Sequence, residues 1–251
     1  MTLTQAVIAG CLLVLAVAHS ALGENTVLRP LFANDWTIAI PRPAAEKILR
    51  FAWHLTSFAW LALAAIVAGA DHFVAVGILS LLSAGLIFAT LRGHLAWPIF
   101  LLAGAASLRE AGVLDETWLR AGAAITAGLL LIAAAAHVYW ALGGRLYLDR
   151  TLPPTSQDGF TPGPVLTLGV ALALTVFAGL IGLVAFEADS AVLRALVIAG
   201  VVVLVARAIG DRRVAGFTKT VRNTDFAIAD DRFFTPLCVL LAHGAAGALL
   251  V

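Results

Sequence analysis

The sequence predicts an all-α, polytopic transmembrane helix bundle of about eight spans. Three observations carry this: 61% of the 251 residues are hydrophobic, only 12% are charged, and nearly all Lys and Arg residues fall in alternate connections between apolar runs. A soluble domain carries roughly 25% charged residues. With a mean hydropathy of +0.99, the expected solvent is lipid.

A spanning helix needs about 20 mainly apolar residues, because each rises about 1.5 Å through a hydrocarbon layer about 30 Å thick. That template selects residues 3–22, 48–69, 73–91, 95–108, 118–142, 165–186, 191–209 and 233–251. The fourth run is short and contains Pro98. The first run has no Lys or Arg before it, so it lacks the basic segment of a cleaved signal peptide and reads as a retained helix. The segment 151–164, rich in Pro, Thr, Gly and Ser, has the composition of an irregular loop.

Short cytoplasmic loops keep Lys and Arg, whereas translocated loops do not. Arg29, Arg42, Lys47 and Arg50 follow the first run, Arg92 the third, and Arg145 and Arg150 the fifth. Arg207, Arg212, Arg213, Lys219, Arg222 and Arg232 follow the seventh. Thirteen basic residues thus share one side, against Arg109, Arg120 and Arg194 on the other. Omitting the fourth span would put the first and last basic loops on opposite faces. The count therefore predicts eight spans with both termini periplasmic. Trp36, Trp53, Trp97, Trp118 and Trp140 fall near predicted helix ends, where indoles favour the membrane interface.

The chain divides into an N-terminal four-helix half, residues 1–114, and a C-terminal four-helix half, residues 115–251. The two share an approximate repeat. Ala18-His19 with Ala21-Leu22-Gly23 matches Ala136-His137 with Ala141-Leu142-Gly143, and the Pro98 run matches the Pro236 run. Chance similarity between stretches rich in small residues is the competing explanation.

A net charge of +1 provides no basic field for nucleic acid, which is not an expected partner. Cys11 and Cys238 sit in apolar runs without Cys-x-x-Cys spacing and read as small packing residues. Ionisable groups in a bilayer are costly and usually face protein or water. His19, Glu24, His54, His94 and His137 lie near predicted cytoplasmic helix ends and are candidates for a ligand or metal site. Neutral imidazoles bind metals, and histidines from facing helices can hold a haem. The competing reading is that these rings cap helix ends and hydrogen-bond Ser20, Thr56 or carbonyls, since no His-x-x-x-His or Glu-x-x-His motif occurs. His243, near the middle of the last run, needs a buried partner. Arg207, Asp211, Arg212, Arg213 and Lys219 form the most charge-dense stretch. It is a candidate for an anion or lipid headgroup, clustered cations near a cytoplasmic helix end attracting anionic lipid at about 1 kcal/mol each. Alternatively these charges set topology while Asp225, Asp230 and Asp231 pair with them internally.

Residues 136–145, Arg207-Ala208-Ile209-Gly210-Asp211, Val214-Ala215-Gly216-Phe217, Asp225-Phe226-Ala227, Asp230 and Pro236-Leu237-Cys238 together resemble an uncharacterised bacterial integral-membrane family, DUF3995. The resemblance covers the second half. It implies an inner-membrane location and brings no activity, substrate or cofactor with it.

These observations lead to a multi-pass protein of the bacterial inner membrane, in contact with the lipid bilayer, that binds or transports a small molecule or lipid near its cytoplasmic side. One alternative is a redox or metal/haem-dependent membrane enzyme using the clustered histidines. The other is a structural subunit of a membrane complex.

Overall fold

Five of the long helices start where a side chain or a proline resolves unpaired N–H groups. Thr2 and Gln5 form a reciprocal capping box at the start of α1 (Leu3–Leu22). Pro43 lies in the first turn of α3 (Arg42–Val67), Asp71 accepts from Val74 N at the start of α4 (His72–Thr90), and Asp115 accepts from Thr117 and Trp118 at the start of α6 (Glu116–Ala141). Pro164 opens α8 (Pro164–Phe186). The remaining main helices are α5 (Ala96–Glu110), α9 (Ala191–Ile209) and α11 (Thr235–Ala248). Short segments are α2 (Arg29–Ala33), α7 (Leu148–Thr151) and α10 (Asp225–Ala229). This computed structural model describes every residue except 38–39, 92, 153–161 and 188–189. Arg92 and most of the expected irregular loop therefore lie outside the described residues.

Among the described residues there is no strand, and six helices are long and apolar enough to cross a membrane: Leu3–Ala33, α3, α4, α6, α8 and α9. The chain is a multi-pass, all-α membrane protein. The fourth and eighth expected spans form helices of 15 and 14 residues, about 22 and 21 Å long at 1.5 Å per residue.

Two helices run further than the hydropathy pattern predicts. The first continues past Leu22 through a π-helical segment, Gly23–Leu28, into α2. The last begins at α10 and passes through a second π segment, Asp230–Phe234, into α11. Each π segment lies just ahead of a proline, Pro30 or Pro236. A helical proline lacks its N–H and crowds the carbonyl four residues back. Widening the turn relieves that crowding: Arg29 N donates to Glu24 O and Thr235 N to Asp230 O, five residues back.

Tertiary contacts form two compact units, Met1–Leu114 and Asp115–Val251. In the first, α1 packs on α3, α3 on α4, and α4 on α5. Small residues bring α4 and α5 together: a Cβ on Gly77 would press on Leu108 at 2.7 Å, and one on Gly104 on Leu81 at 2.7 Å. Trp97, expected at the interface, is 3% exposed and packs edge-on against Phe88, because α5 turns this indole toward α4. In the second unit α6 packs on α8, α8 on α9, α9 on α11, and α11 returns onto α6 and α8. Its core is Ala123, Leu130, Ile181, Val197, Leu241 and Ala245. Outward positions such as Val14, Ile132, Val165 and Val203 are exposed and apolar, as a lipid-facing surface requires.

Because Gly77 faces Leu108 in a filled contact, Gly77→Val is expected to cost about 1–3 kcal/mol. The measurement is the unfolding midpoint in mixed detergent micelles, with Gly85→Val as control, since nothing lies within 4 Å of a Cβ at Gly85.

Candidate functional site

At one end of the second unit, the chain between α9 and α10 folds back beneath the end of α9. Gly210, with φ +91°, ends that helix, and a Cβ there would strike the Ala215 carbonyl. Gly216, with φ +76°, closes against Gly210 and the Ala208 carbonyl. Only glycine meets both demands without strain. The orphan carbonyls of α9 are then paired: Phe217 N donates to Ala208 O at 2.9 Å, and Thr218 donates to Ile209 O through N at 3.1 Å and Oγ1 at 2.8 Å. Asp211 Oδ1 accepts from the backbone N–H groups of Arg213, Val214 and Ala215 at 2.8–2.9 Å. Partial burial pushes the Asp211 carboxyl up, but these N–H groups outweigh it and hold its pKa below the ordinary value.

Behind this turn lies a buried charge network. Asp230 is 0% exposed and Lys219 2%. Asp230 Oδ1 accepts from Arg207 Nη2 at 2.7 Å; Oδ2 accepts from Lys219 Nζ at 2.9 Å, Gly216 N at 2.8 Å and Thr235 Oγ1 at 3.0 Å. Lys219 Nζ also donates to Gly216 O at 3.1 Å and Asp231 Oδ1 at 2.5 Å, so its three donors are used. Arg222 reaches Asp231 Oδ2 at 3.4 Å and Phe217 O at 3.2 Å. Burial pushes the Asp230 carboxyl up. The hydrogen bonds from Lys219 and Arg207, the Arg207 charge and the Gly216 N–H outweigh it, so the carboxyl lies below its ordinary range. Arg207 Nη1 is buried without a hydrogen-bond partner among the described residues.

The sequence-predicted anion candidates thus separate into two sets. Arg207 and Lys219 are engaged inward, and Asp211 builds the turn. Arg212 and Arg213 are exposed, and among the described residues neither side chain has an ion-pair partner. Arg212 adopts φ +63°, a conformation that costs a non-glycine residue about 1–2 kcal/mol and is held here by the Asp211 turn. Exposed Arg145, Arg150 and Arg232 lie at the same end of the unit, where α7 packs on α10.

The histidine candidates make local contacts, each within its own unit. His19 stacks on Trp53 at 4.7 Å and meets Trp60 edge-on. His54 Nδ1 is 2.9 Å from Ser20 Oγ, and its Nε2 is 3.6 Å from Glu24 Oε2. His94 Nδ1 accepts from Ala96 N at 3.2 Å. His137, in the second unit, donates from Nδ1 to Ala133 O at 2.8 Å and packs edge-on against Trp140. Among the described residues no three His, Cys, Asp or Glu side chains converge as metal ligands. His243 donates from Nδ1 to Val239 O at 2.8 Å, and its buried Nε2 has no partner among the described residues. Sequence reasoning missed Ser57, 3% exposed, whose hydroxyl lies 2.9 Å from Ser20 Oγ. It also missed Thr235 as an Asp230 partner. A serine in an apolar helix gives no sign of what it faces on the next.

Residues 129–245, in the second half of the chain, match the family described as Protein of unknown function (DUF3995). The match spans the whole Arg207–Asp230 network. Among curated proteins and solved structures, no match to the chain was found.

Asp230→Ala would remove the ion-pair partner of Arg207 and leave the buried Lys219 with one carboxylate, Asp231, in place of two. It is expected to destabilise the second unit by about 3–5 kcal/mol, read as a drop in the denaturant midpoint. A carboxyl whose folded pKa is depressed contributes stability that is present above its unfolded value, about 3.9, and lost as pH falls through the folded value. Stability should therefore be flat from neutral pH to about 5 and fall below about 4; in Asp230→Asn the acid fall should be shallower.

Proposed function

We propose that the chain is an eight-span protein of the bacterial inner membrane, both termini periplasmic, that binds an anionic phosphate-bearing group at the cytoplasmic end of its second unit. The group is a lipid headgroup or a small soluble anion. The observation that carries the reading is the division of labour among the basic residues. Arg207 and Lys219 are neutralised inside by Asp230 and Asp231, while Arg212 and Arg213 are held outward on a turn built by Asp211. Planar guanidinium groups pair phosphate oxygens two at a time. Exposed apolar side chains at the same end, Tyr147, Ile228 and Phe233, suit the boundary between headgroups and acyl chains.

Charge bias supports eight crossings. Without α5 as a crossing, the connection holding Arg145 and Arg150 would leave the side that holds Arg29, Arg42 and Arg50. A helix of 15 residues can cross where the bilayer thins locally, at fractions of a kcal/mol per Å. The two halves are read as a diverged parallel repeat, each of four main helices packed in chain order.

Reporter fusions after Gly144 and after Val251 are expected to be active in the cytoplasm and the periplasm respectively. Cytoplasmic activity at both points would refute eight crossings. For binding, native mass spectrometry from nanodiscs of equal phosphatidylglycerol and phosphatidylcholine is expected to show selective retention of phosphatidylglycerol. Arg212→Gln with Arg213→Gln should weaken that retention roughly thirtyfold, at about 1 kcal/mol per arginine. Displacement by millimolar inorganic phosphate would identify a soluble anion as ligand. Equal retention of both lipids, with no phosphate bound, would overturn the proposal.

A further inference from the structure

The α1–α3 pair of the first unit carries a second constellation, independent of anion binding. Ser20 and Glu24 are four residues apart, so one turn of helix sets hydroxyl and carboxylate on the same face about 5–6 Å apart at Cβ. That gap is bridged from α3 by one imidazole. His54 Nδ1 lies 2.9 Å from Ser20 Oγ and His54 Nε2 lies 3.6 Å from Glu24 Oε2. Arg50 pairs with Glu24 at 3.1 Å and Arg29 at 3.5 Å, which favours its ionised form. A carboxylate facing Nε2 favours the tautomer protonated there and leaves the Nδ1 lone pair toward Ser20. The helices meet closely because residue 23 is glycine: a Cβ there would collide with the indole of Trp53, whose Nε1 donates to His19 O at 3.0 Å. Ser20, His54 and Glu24 are all half-buried, neither sealed in the core nor freely solvated.

We propose that Ser20 is a nucleophile toward carboxylic esters of amphiphiles at the membrane interface, with His54 as its base and Glu24 as the residue that positions the imidazole. A hydroxyl hydrogen-bonded to an imidazole, with a carboxylate 3.6 Å from the ring's other nitrogen, supplies the parts that acyl transfer requires. Here the ring is reversed, with Nδ1 facing the hydroxyl. As Ser20 Oγ forms its bond to the ester carbonyl carbon, its proton passes to His54 Nδ1. The carbon–oxygen bond to the alcohol breaks, and the alcohol leaves with that proton. Water then repeats the sequence at the acyl-serine, releasing a carboxylic acid and restoring Ser20. Ser20 Oγ also donates to Ser57 Oγ at 2.9 Å; a hydroxyl has one proton, so the attack requires Ser20 to turn it from Ser57 to His54 Nδ1.

The test is phosphonylation of the full-length protein in detergent by an alkyl fluorophosphonate. Ser20 Oγ bonds to phosphorus, the phosphorus–fluorine bond breaks, fluoride leaves and the serine proton goes to His54. Peptide mass spectrometry of the native chain is expected to place the adduct on Ser20. The charged or titratable groups near His54 are Glu24, with Arg50 and Arg29 behind it, and His19 on α1; α4, also packed on α3, offers only His72 at its first residue. His54→Gln should slow labelling at least a hundredfold. Glu24→Gln should slow labelling about tenfold and Glu24→Asp should recover part of that rate, a rescue that loss of packing alone would not give. Absence of an adduct on Ser20 in the native chain, which needs no variant to fold, would overturn the proposal. So would equal labelling in a folded His54→Gln protein.

Discussion

The carboxylate of Asp230 organises the second unit. It sits at 0% exposure in a chain that otherwise buries almost only small and aliphatic side chains. There it accepts from an arginine, a lysine, a threonine and a backbone amide. Removing two charges from water costs several kcal/mol per ion, so such a pair adds little net stability over an apolar replacement. What it supplies is position: a carboxylate that must find all four donors admits one arrangement of its surroundings. Those donors come from the end of α9, the turn at Gly216, the strand-less connection at Lys219 and the start of α11. One interaction thereby ties two helix ends and the segment between them.

This arrangement determines what the exposed charges can do. In the sequence, Arg207, Arg212, Arg213 and Lys219 are equivalent cations near one helix end. In the structure, two are consumed within the protein and two stand outward on a turn that Asp211 rigidifies. The outward pair carries the proposed anion site because the inward pair has been withdrawn from it. The Arg212 backbone conformation fits this picture: local strain at a solvent-facing arginine persists only when the surrounding hydrogen bonds over-determine it.

Much of the fold was legible because lipid imposes a simple rule: backbone groups must be paired within helices, and those helices must be apolar over a known length. All eight apolar runs became helices, and the Asp71 and Asp115 caps stand where an acidic residue precedes an apolar run. The extensions beyond Leu22 and before Thr235 were not legible. Hydropathy registers the apolar part of a helix, whereas these continue through polar π turns set by Pro30 and Pro236. The interior placement of Trp97 was equally hidden, since an indole near a helix end is indistinguishable from one turned toward a neighbour. Of the candidate residues, His19, Glu24 and His54 meet at the α1–α3 contact, but their chemistry depends on Ser20 and on Trp53. The helical spacing of Ser20 and Glu24 is visible in the sequence; the imidazole that enters between them from another helix is not.

Amide hydrogen–deuterium exchange across residues 207–221 tests most directly whether the connection after α9 is a docked element built on Asp230. The account predicts that the amides of Gly216 and Phe217, bonded to Asp230 and Ala208, exchange as slowly as the core of α9, and that both become fast in Asp230→Ala while the core stays protected. Rapid exchange of these two amides in the native protein, at the rate of an open loop, would contradict it.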